Sequence, residues 1–198
     1  MNSVSSQIEQ KISKLKKGTL IFVSDFNLDY EITRKTLQRL TTKKMLLRIS
    51  QGIYYKPLTD EKLGIIYPSI EQLAEAIAKR DKARIIPTGS YAMYKLGLTT
   101  QIPMNVVYLT DGSARKIQIK RQKINFKKTS PRNLAVKHQL TGLIIQSLKE
   151  IGEKNITSKE LNILKKIITK NGEHKKIQDN IKYAPVWIQK IVIELIKT

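Results

Sequence analysis

The chain has 198 residues, carries 37 Lys and Arg against 16 Asp and Glu for a formal charge of +21, and is 40% hydrophobic. It contains no cysteine, which excludes a disulfide framework and thiolate chemistry. The length fits one or two domains with a packed core, and the charge favours a polyanionic partner such as nucleic acid. Because the N-terminus lacks the apolar region of a secretion signal and no apolar run approaches the ~18 residues that span a bilayer, we expect a cytoplasmic protein with no membrane partner.

The N-terminal stretch predicts a helix, a strand and a short helix. A helix over residues 5–16 is indicated by apolar residues at helical spacing. Residues 19–23 form an extended segment, which we expect to pair with a later ribbon as a third strand. The short helix begins at Ser24 or Asp25, whose side chains can cap a helix, and ends at Leu28.

A basic helix is predicted from Tyr30 to about Lys43, with Thr33, Leu37 and Leu40 as its inward stripe. Arg and Gln side chains match guanine and adenine edges, whereas lysines mainly bind phosphates. A Lys/Arg face that is merely solvated is the alternative for this helix taken alone. The side chains on and beside the outward face are candidate DNA contacts: Arg34, Lys35, Gln38, Arg39, Thr42 and Lys43.

A β-ribbon is predicted after this helix. Residues 45–49 are strand-like, residues 50–52 form a turn in which glycine suits a positive φ, and residues 53–55 return. The order of helix, turn, basic helix and ribbon predicts a winged helix-turn-helix over residues 1–60, in which one helix enters the major groove of double-stranded DNA and the ribbon lies against the backbone. Arg48 and Lys56 are expected to contact phosphates from the ribbon, and Gln51 at its turn joins the candidate DNA contacts.

The rest of the chain predicts a second unit over residues 66–198, so that the whole protein is α+β. Residues 58–67 are expected to be a connector. The first part of the second unit, residues 66–134, is predicted to be mixed α/β with a small antiparallel sheet, and the last part, residues 135–198, is predicted to be a helical segment. Within the last part, residues 139–151 are predicted to form one helix, the capping-box spacing of Thr157 and Glu160 starts a second, and residues 186–196 form another. The predicted strands are residues 84–87, 105–110, 116–120 and 123–127, with a hairpin turn at Asp111-Gly112-Ser113 after the second.

Alternation in the last two strands places Ile117, Ile119, Ile124 and Phe126 towards a core and a basic face outward. This face is either a solvated exterior or a surface that binds nucleic acid or an acidic protein. It has no flanking aromatic residues of the kind that stack on single-stranded bases. The candidate residues of this secondary basic surface are Lys116, Lys120, Lys123 and Lys127.

Side chains for catalysis or metal binding are scarce. His138 and His174 are the only histidines, and we expect both at the surface with no ligand set around them. Residues 85–90 form an apolar strand followed by Gly-Ser, an arrangement that also opens the active site of many nucleotidyltransferases. Those enzymes need paired carboxylates for two metal ions, but Asp111 is the only acid in the long stretch after Ser90. We therefore expect no catalytic residue, no metal, no cofactor and no enzymatic activity.

Several stretches together carry a resemblance to one known family, the antitoxins of abortive-infection, type IV toxin–antitoxin systems (the AbiEi-like group). The resemblance extends over essentially the whole chain, and its specific parts are Leu-Gly-Leu-Thr-Thr-Gln-Ile-Pro and Tyr-Leu-Thr-Asp-Gly. The matching segments are Leu37–Leu40, Arg48–Tyr55, Pro87–Ala92, Leu96–Pro103, Tyr108–Gly112, Ile124–Lys127, Ser130–Arg132 and Ala184–Trp187.

The resemblance implies an antitoxin with two tasks. Its winged helix would bind inverted repeats in operator DNA and repress its own operon, and its second domain would be required to neutralise a nucleotidyltransferase-like toxin encoded alongside. Neutralisation in this class need not proceed through a stable complex. The alternative is a winged-helix transcriptional regulator whose second domain senses a signal or oligomerises, with no toxin.

Overall fold

The computed structural model describes residues 3–119 and 121–197, and this part of the chain is an α+β protein with eight α-helices and nine strands. The chain divides into two units, residues 1–76 and 77–198. The helices are α1 (Val4–Lys14), α2 (Tyr30–Thr42), α3 (Ile70–Arg80), α4 (Ser90–Lys95), α5 (Gln139–Ile151), α6 (Ser158–Asn171), α7 (His174–Ile181) and α8 (Val186–Lys197). The strands are β1 (Leu20–Phe22), β2 (Leu47–Ser50), β3 (Ile53–Tyr55), β4 (Leu58–Asp60), β5 (Gly64–Ile66), β6 (Ile85–Thr88), β7 (Asn105–Thr110), β8 (Arg115–Ile119) and β9 (Gln122–Lys128).

The N-terminal unit packs α1 and α2 with a three-stranded antiparallel sheet of order β1-β3-β2. The predicted pairing of the segment after α1 with the ribbon is confirmed, since Leu20 lies opposite Tyr55 in the β1–β3 register. Ile8 and Ile12 from α1 are buried against α2 side chains, and the short strands add Ile21 and Tyr54 to the same core.

The short helix predicted to end at Leu28 is a single 3₁₀ turn, Val23–Phe26. The Asp25 carboxylate accepts a hydrogen bond from the Phe22 backbone N–H at 2.8 Å, which fixes the start of the turn before Ser24. Asn27 then adopts a positive φ of 49°, a conformation that Asn tolerates better than most residues, and ends it.

The predicted connector over residues 58–67 instead contains a β-hairpin, β4–β5, with Leu58 opposite Ile66. The Asp60 carboxylate accepts hydrogen bonds from the backbone N–H groups of Lys62 and Leu63 at 2.8 and 2.9 Å, forming an Asx-type turn. The Tyr55 hydroxyl donates to the Ile66 carbonyl at 2.7 Å. The N-terminal unit therefore extends beyond the predicted boundary at residue 60.

The second unit contains a four-stranded sheet of order β6-β7-β9-β8. The prediction of a small antiparallel sheet is wrong in one respect, because β7 and β9 are parallel, with Tyr108 opposite Phe126. The predicted hairpin between β7 and β8 is also wrong, because β9 lies between these two strands.

Contacts at the end of β7 explain why the chain does not fold back directly. The Asp111 carboxylate accepts hydrogen bonds from the Arg84 backbone N–H at 2.7 Å and from the Arg84 guanidinium at 2.8 Å. The Thr110 hydroxyl donates to the Arg84 carbonyl at 3.0 Å, and Gly112 lies so close to Ala83 that a Cβ there would be 2.7 Å from the Ala83 Cβ. The Asp-Gly pair thus attaches the end of β7 to the start of β6, and Gly112 does not adopt the positive φ that a type I′ hairpin requires.

The C-terminal helices surround a separate apolar core. The predicted helix over residues 139–151 and the capping box of Thr157 and Glu160 are confirmed. Helix α7 lies in the predicted helical segment but was not predicted as a separate helix, and its Ile177 and Ile181 are buried in this core. None of the helices in the described part of the chain is both long and apolar enough to cross a membrane.

We predict that Gly112→Ala lowers the free energy of unfolding by about 1–3 kcal/mol, because the added methyl group overlaps Ala83. In an Ala83→Gly background the same change should have a much smaller effect, since the opposing methyl group is gone. Urea denaturation of the four proteins measures this coupling. Equal costs in both backgrounds would contradict the steric explanation.

Candidate nucleic-acid interface

The buried side of α2 fixes which of its residues face solvent. Thr33, Leu37 and Leu40 are buried as predicted, with exposures of 0%, 0% and 1%, and Thr36 joins them at 3%. The polar members are satisfied, since the Thr33 hydroxyl donates to the Asp29 carbonyl at 2.7 Å and the Thr36 hydroxyl shares a 3.0 Å hydrogen bond with that of Ser5. This side of the helix is therefore buried in the core and is not available to a ligand.

The opposite side of α2 presents a mixed polar and basic surface, which we call the α2 face. The side chains of Lys35, Gln38 and Lys43 make no hydrogen bond or ion pair within residues 3–119 and 121–197. A shallow groove of about 220 Å³ lies beside this face and is lined in part by Lys35 and Arg39. The exposed residues of the α2 face are Glu31, Ile32, Lys35, Gln38, Arg39, Thr42 and Lys43.

Two arginines predicted as DNA contacts are held by carboxylates. The Arg34 guanidinium donates to Glu31 one turn earlier at 2.9 Å, and this bond lowers the pKa of the Glu31 carboxyl and raises the pKa of Arg34. Arg39 forms an ion pair with Glu9 on α1, with half of the Arg39 side chain still exposed. Arg34 lies at the flank of the α2 face and is only half-buried, whereas Arg39 lies on the face itself.

The ribbon that follows α2 is short and carries two of the predicted contacts. Arg48 lies on β2 opposite Tyr54, with its side chain exposed while the tyrosine is buried. Gln51 is exposed at the tip, and Gly52 has a φ of +70°. A register shift between Arg48 and Ser50 accompanies this turn, as in short hairpins that combine a tight turn with a bulge.

Lys56 does not belong to the ribbon surface, contrary to the prediction. Its ammonium group donates to the carbonyls of Ile12, Ser13 and Leu15 at 2.9, 2.9 and 2.7 Å. These carbonyls lie at the C-terminal end of α1, where backbone oxygens lack helical partners and a cation is favourable. Lys56 therefore stabilises α1 and is not available to phosphate.

Lys44 was missed by the sequence analysis. It has a φ of 59° at the end of α2, a left-handed conformation that glycine adopts at far lower cost. The N–H groups of Lys44 and Met45 donate to the Thr41 and Leu40 carbonyls at 3.0 Å each, the two bonds of a Schellman motif. An exposed lysine in this position places a further cation between the α2 face and the ribbon.

The secondary basic surface lies where the alternation predicts. Lys116, Lys123 and Lys127 are exposed on the outer side of β8 and β9, whereas Ile117, Ile124 and Phe126 are buried on the other side. Ile119, also predicted to face the core, is half-buried. Lys120 lies outside the described residues.

The histidines are not simple surface residues, which corrects the prediction. The His138 ring bonds the Thr141 hydroxyl at 2.8 Å and the Glu173 carboxylate at 3.0 Å, with 13% of its side chain exposed. The His174 Nε2 is buried and has no hydrogen-bond partner in the described part of the chain. These hydrogen bonds of His138 connect the start of α5 to the start of α7.

The Gly-Ser segment after β6 has the carboxylate of Glu150 next to it. A Cβ at Gly89 would lie 3.7 Å from the Glu150 carboxylate, whereas Asp111 is bound to Arg84, which lowers the pKa of the Asp111 carboxyl. Among residues 3–119 and 121–197 there is no group of three or more His, Asp or Glu side chains placed to hold a metal ion.

Comparison with known proteins assigns a family. Residues 7–177 match the model of a family of unknown function (DUF6088), which covers most of the chain, and the protein belongs to this family. No curated protein matches the chain. Among solved structures, the chain is similar to the crystal structure of the RV2827C protein from Mycobacterium tuberculosis, with a TM-score of 0.49 and 10% sequence identity over 96% of this chain and 75% of that chain.

We predict that Lys44→Gly raises the free energy of unfolding by about 0.5–1 kcal/mol, because glycine relieves the left-handed backbone. The same change should weaken duplex binding through the lost charge. Lys43→Gly is the matched control, since Lys43 has a φ of −74° and gains no relief while losing the same charge. Urea denaturation and fluorescence anisotropy on a DNA duplex measure the two effects. Unchanged stability in Lys44→Gly, or unchanged affinity, would contradict this account.

Proposed function

We propose that the N-terminal unit of this DUF6088 family member is a winged helix-turn-helix that binds double-stranded DNA, and that the protein acts as a repressor rather than as an enzyme. The observation that carries the proposal is the α2 face, an exposed polar and basic helix surface directly followed by a short ribbon. The element order α1, β1, 3₁₀ turn, α2, β2, β3 and the sheet order β1-β3-β2 support it.

Each side chain has a role that follows from its chemistry. Gln38 and Arg39 project from α2 to bond base edges in the major groove. Lys35 and Lys43, together with Lys44, supply point charges for phosphates on either side, and Thr42 adds a hydroxyl. Arg34 lies at the edge of the contact. Arg48 and Gln51 on the ribbon contact the backbone, while Lys56 is removed from the set.

The ion pair between Arg39 and Glu9 does not prevent DNA binding. Both side chains are at least 40% exposed, and pairs of this kind stabilise a protein by only about 0–1 kcal/mol. A bidentate arginine–guanine contact is worth about 1–3 kcal/mol of discrimination between bases. The exchange of Glu9 for a base therefore favours the complex.

We predict that Arg39→Ala weakens binding to the DNA upstream of the protein's own gene by about 1–3 kcal/mol, with a smaller loss on a shuffled duplex of the same composition. Arg34→Ala is the matched control, because it removes an arginine from the flank of the same helix and should change both affinities slightly. Anisotropy titrations of the three proteins against the two duplexes measure this. Equal losses on both duplexes for Arg39→Ala would mean that Arg39 contacts phosphate only.

We further propose that the protein is the antitoxin of a type IV toxin–antitoxin pair, which neutralises a nucleotidyltransferase-like toxin through residues beyond the N-terminal unit. The support is the resemblance to AbiEi-like antitoxins of segments that lie outside the proposed DNA-binding unit, namely residues 87–92, 96–103, 108–112, 124–127 and 130–132. Repression and neutralisation would then depend on different residues.

Co-expression tests this second role. A nucleotidyltransferase-like gene adjacent to this one, expressed from an inducible promoter, should arrest growth, and the wild-type chain should restore it. Arg39→Ala should restore growth equally, because it affects DNA binding only. If neither protein restores growth, the chain is a winged-helix regulator without a toxin.

A further inference from the structure

The second unit has a cationic groove at one end of its sheet. The groove is open, has a volume of about 620 Å³, and lies where β8 begins and β9 ends. Because β7 and β9 are parallel, their carboxyl ends meet at this edge, with Thr110 opposite Lys128. The side chains that matter for binding are Arg115, Lys116, Asn125, Lys127 and Lys128.

The sheet face that carries Ile86, Leu109 and Lys127 is covered by a helix on one half and open to solvent on the other. Helix α5 packs on β6, where a Cβ at Gly142 would contact Ile86 at 3.8 Å. Ile86 lies opposite Leu109, which lies opposite Lys127, so Lys127 is on the face that α5 covers but at its uncovered half. The open half is thus continuous with the secondary basic surface.

The charges at this end of the sheet are not balanced. Neither β8 nor β9 contains an acidic residue. Arg115 pairs with Asp81, but Arg80 also pairs with Asp81 at 2.7 Å, so one carboxylate serves two guanidinium groups. The Arg115 Nε is buried with no hydrogen-bond partner in the described part of the chain, and burial and the neighbouring Arg80 lower the pKa of Arg115. The side chains that line the groove therefore carry a net positive charge.

The lysines are spaced as a row. Lys116 lies opposite Asn125 in the β8–β9 register, so Lys123 and Lys127 are both diagonal neighbours of Lys116, at about 7–8 Å. Lys123 and Lys127 are themselves roughly 13 Å apart along β9, since strands rise about 3.3 Å per residue. Such a row matches a chain of regularly spaced charges better than a single small anion.

We propose that this groove and the adjoining lysine row bind the phosphates of a double-stranded nucleic-acid backbone, as a second contact independent of the α2 face. A duplex is favoured over a single strand because the described residues of the groove include no exposed aromatic side chain. The one aromatic residue among them, Phe126, is buried, and its ring centroid lies 5.5 Å from the guanidinium carbon of Arg115. The contact contributes affinity without sequence preference, because phosphates carry no base information.

The test is the salt dependence of duplex binding by the full-length chain. The logarithm of affinity falls with the logarithm of salt concentration by about 0.9 per phosphate contact. Lys116→Gln/Lys127→Gln should therefore reduce this slope by about 1.8, and by the same amount on the upstream and shuffled duplexes. The control is Lys166→Gln/Lys170→Gln on the exposed side of α6, which removes the same charge and should leave the slope nearly unchanged.

The outcomes separate this proposal from that of the α2 face. Equal slope changes in the groove variant and the α6 variant would overturn it, because only total charge would then matter. A groove variant that loses preference for the upstream duplex while keeping its slope would also overturn it. If the groove variant loses binding of inorganic phosphate but keeps the wild-type salt slope for the duplex, the proposal is overturned and the groove binds a small anion instead. Failure of Arg39→Ala to alter sequence preference leaves these expectations intact.

Discussion

The burial of Thr33, Thr36, Leu37 and Leu40 along one side of α2 is the constraint on which the proposed DNA interface depends. Their burial fixes the rotation of the helix about its axis, so the side chains on the opposite side face solvent. The buried threonines help to fix this orientation, because the Thr33 hydroxyl bonds the Asp29 carbonyl and the Thr36 hydroxyl bonds Ser5, so that both hydroxyls are paired in the core. A helix that could rotate would present a different set of side chains and no defined contact.

Some of the lysines and arginines bind groups within the fold, and others are exposed at the surface. Lys56 neutralises the carbonyl end of α1, Arg84 holds the end of β7 through Asp111, and Lys11 donates to the Asp25 carbonyl. Other cations lie on the α2 face with its ribbon and on the open half of the four-stranded sheet, and twelve further lysines lie in residues 135–198. We propose sequence recognition for the first of these surfaces and non-specific affinity for the second.

The sequence was sufficient to predict an element where a periodic pattern of apolar residues determines it, as in α2, β7 and α5. It was insufficient where contacts with residues distant in the sequence determine the structure. Alternation identifies β8 and β9 as strands but does not say that β9 lies beside β7, since that depends on Asp111 and Gly112 contacting residues before β6. Lys56 was predicted to lie on the ribbon because it directly follows the last ribbon strand. Its three carbonyl partners lie at the end of α1, over forty positions away, and no local pattern shows that contact. Lys44 was overlooked because a left-handed lysine leaves no signal in composition; glycine there would have marked the end of the helix.

The most direct test of the central claim is a competition measurement with the wild-type protein. A labelled duplex from the DNA upstream of its gene is bound near physiological ionic strength, and unlabelled shuffled duplex is added in increasing excess. The α2 face as a sequence-recognising surface predicts that the complex survives about a thousandfold excess, in line with the preference of specific binders. Displacement in simple proportion to the amount of shuffled duplex would mean that the charge of +21 acts through phosphates alone, and would contradict the account.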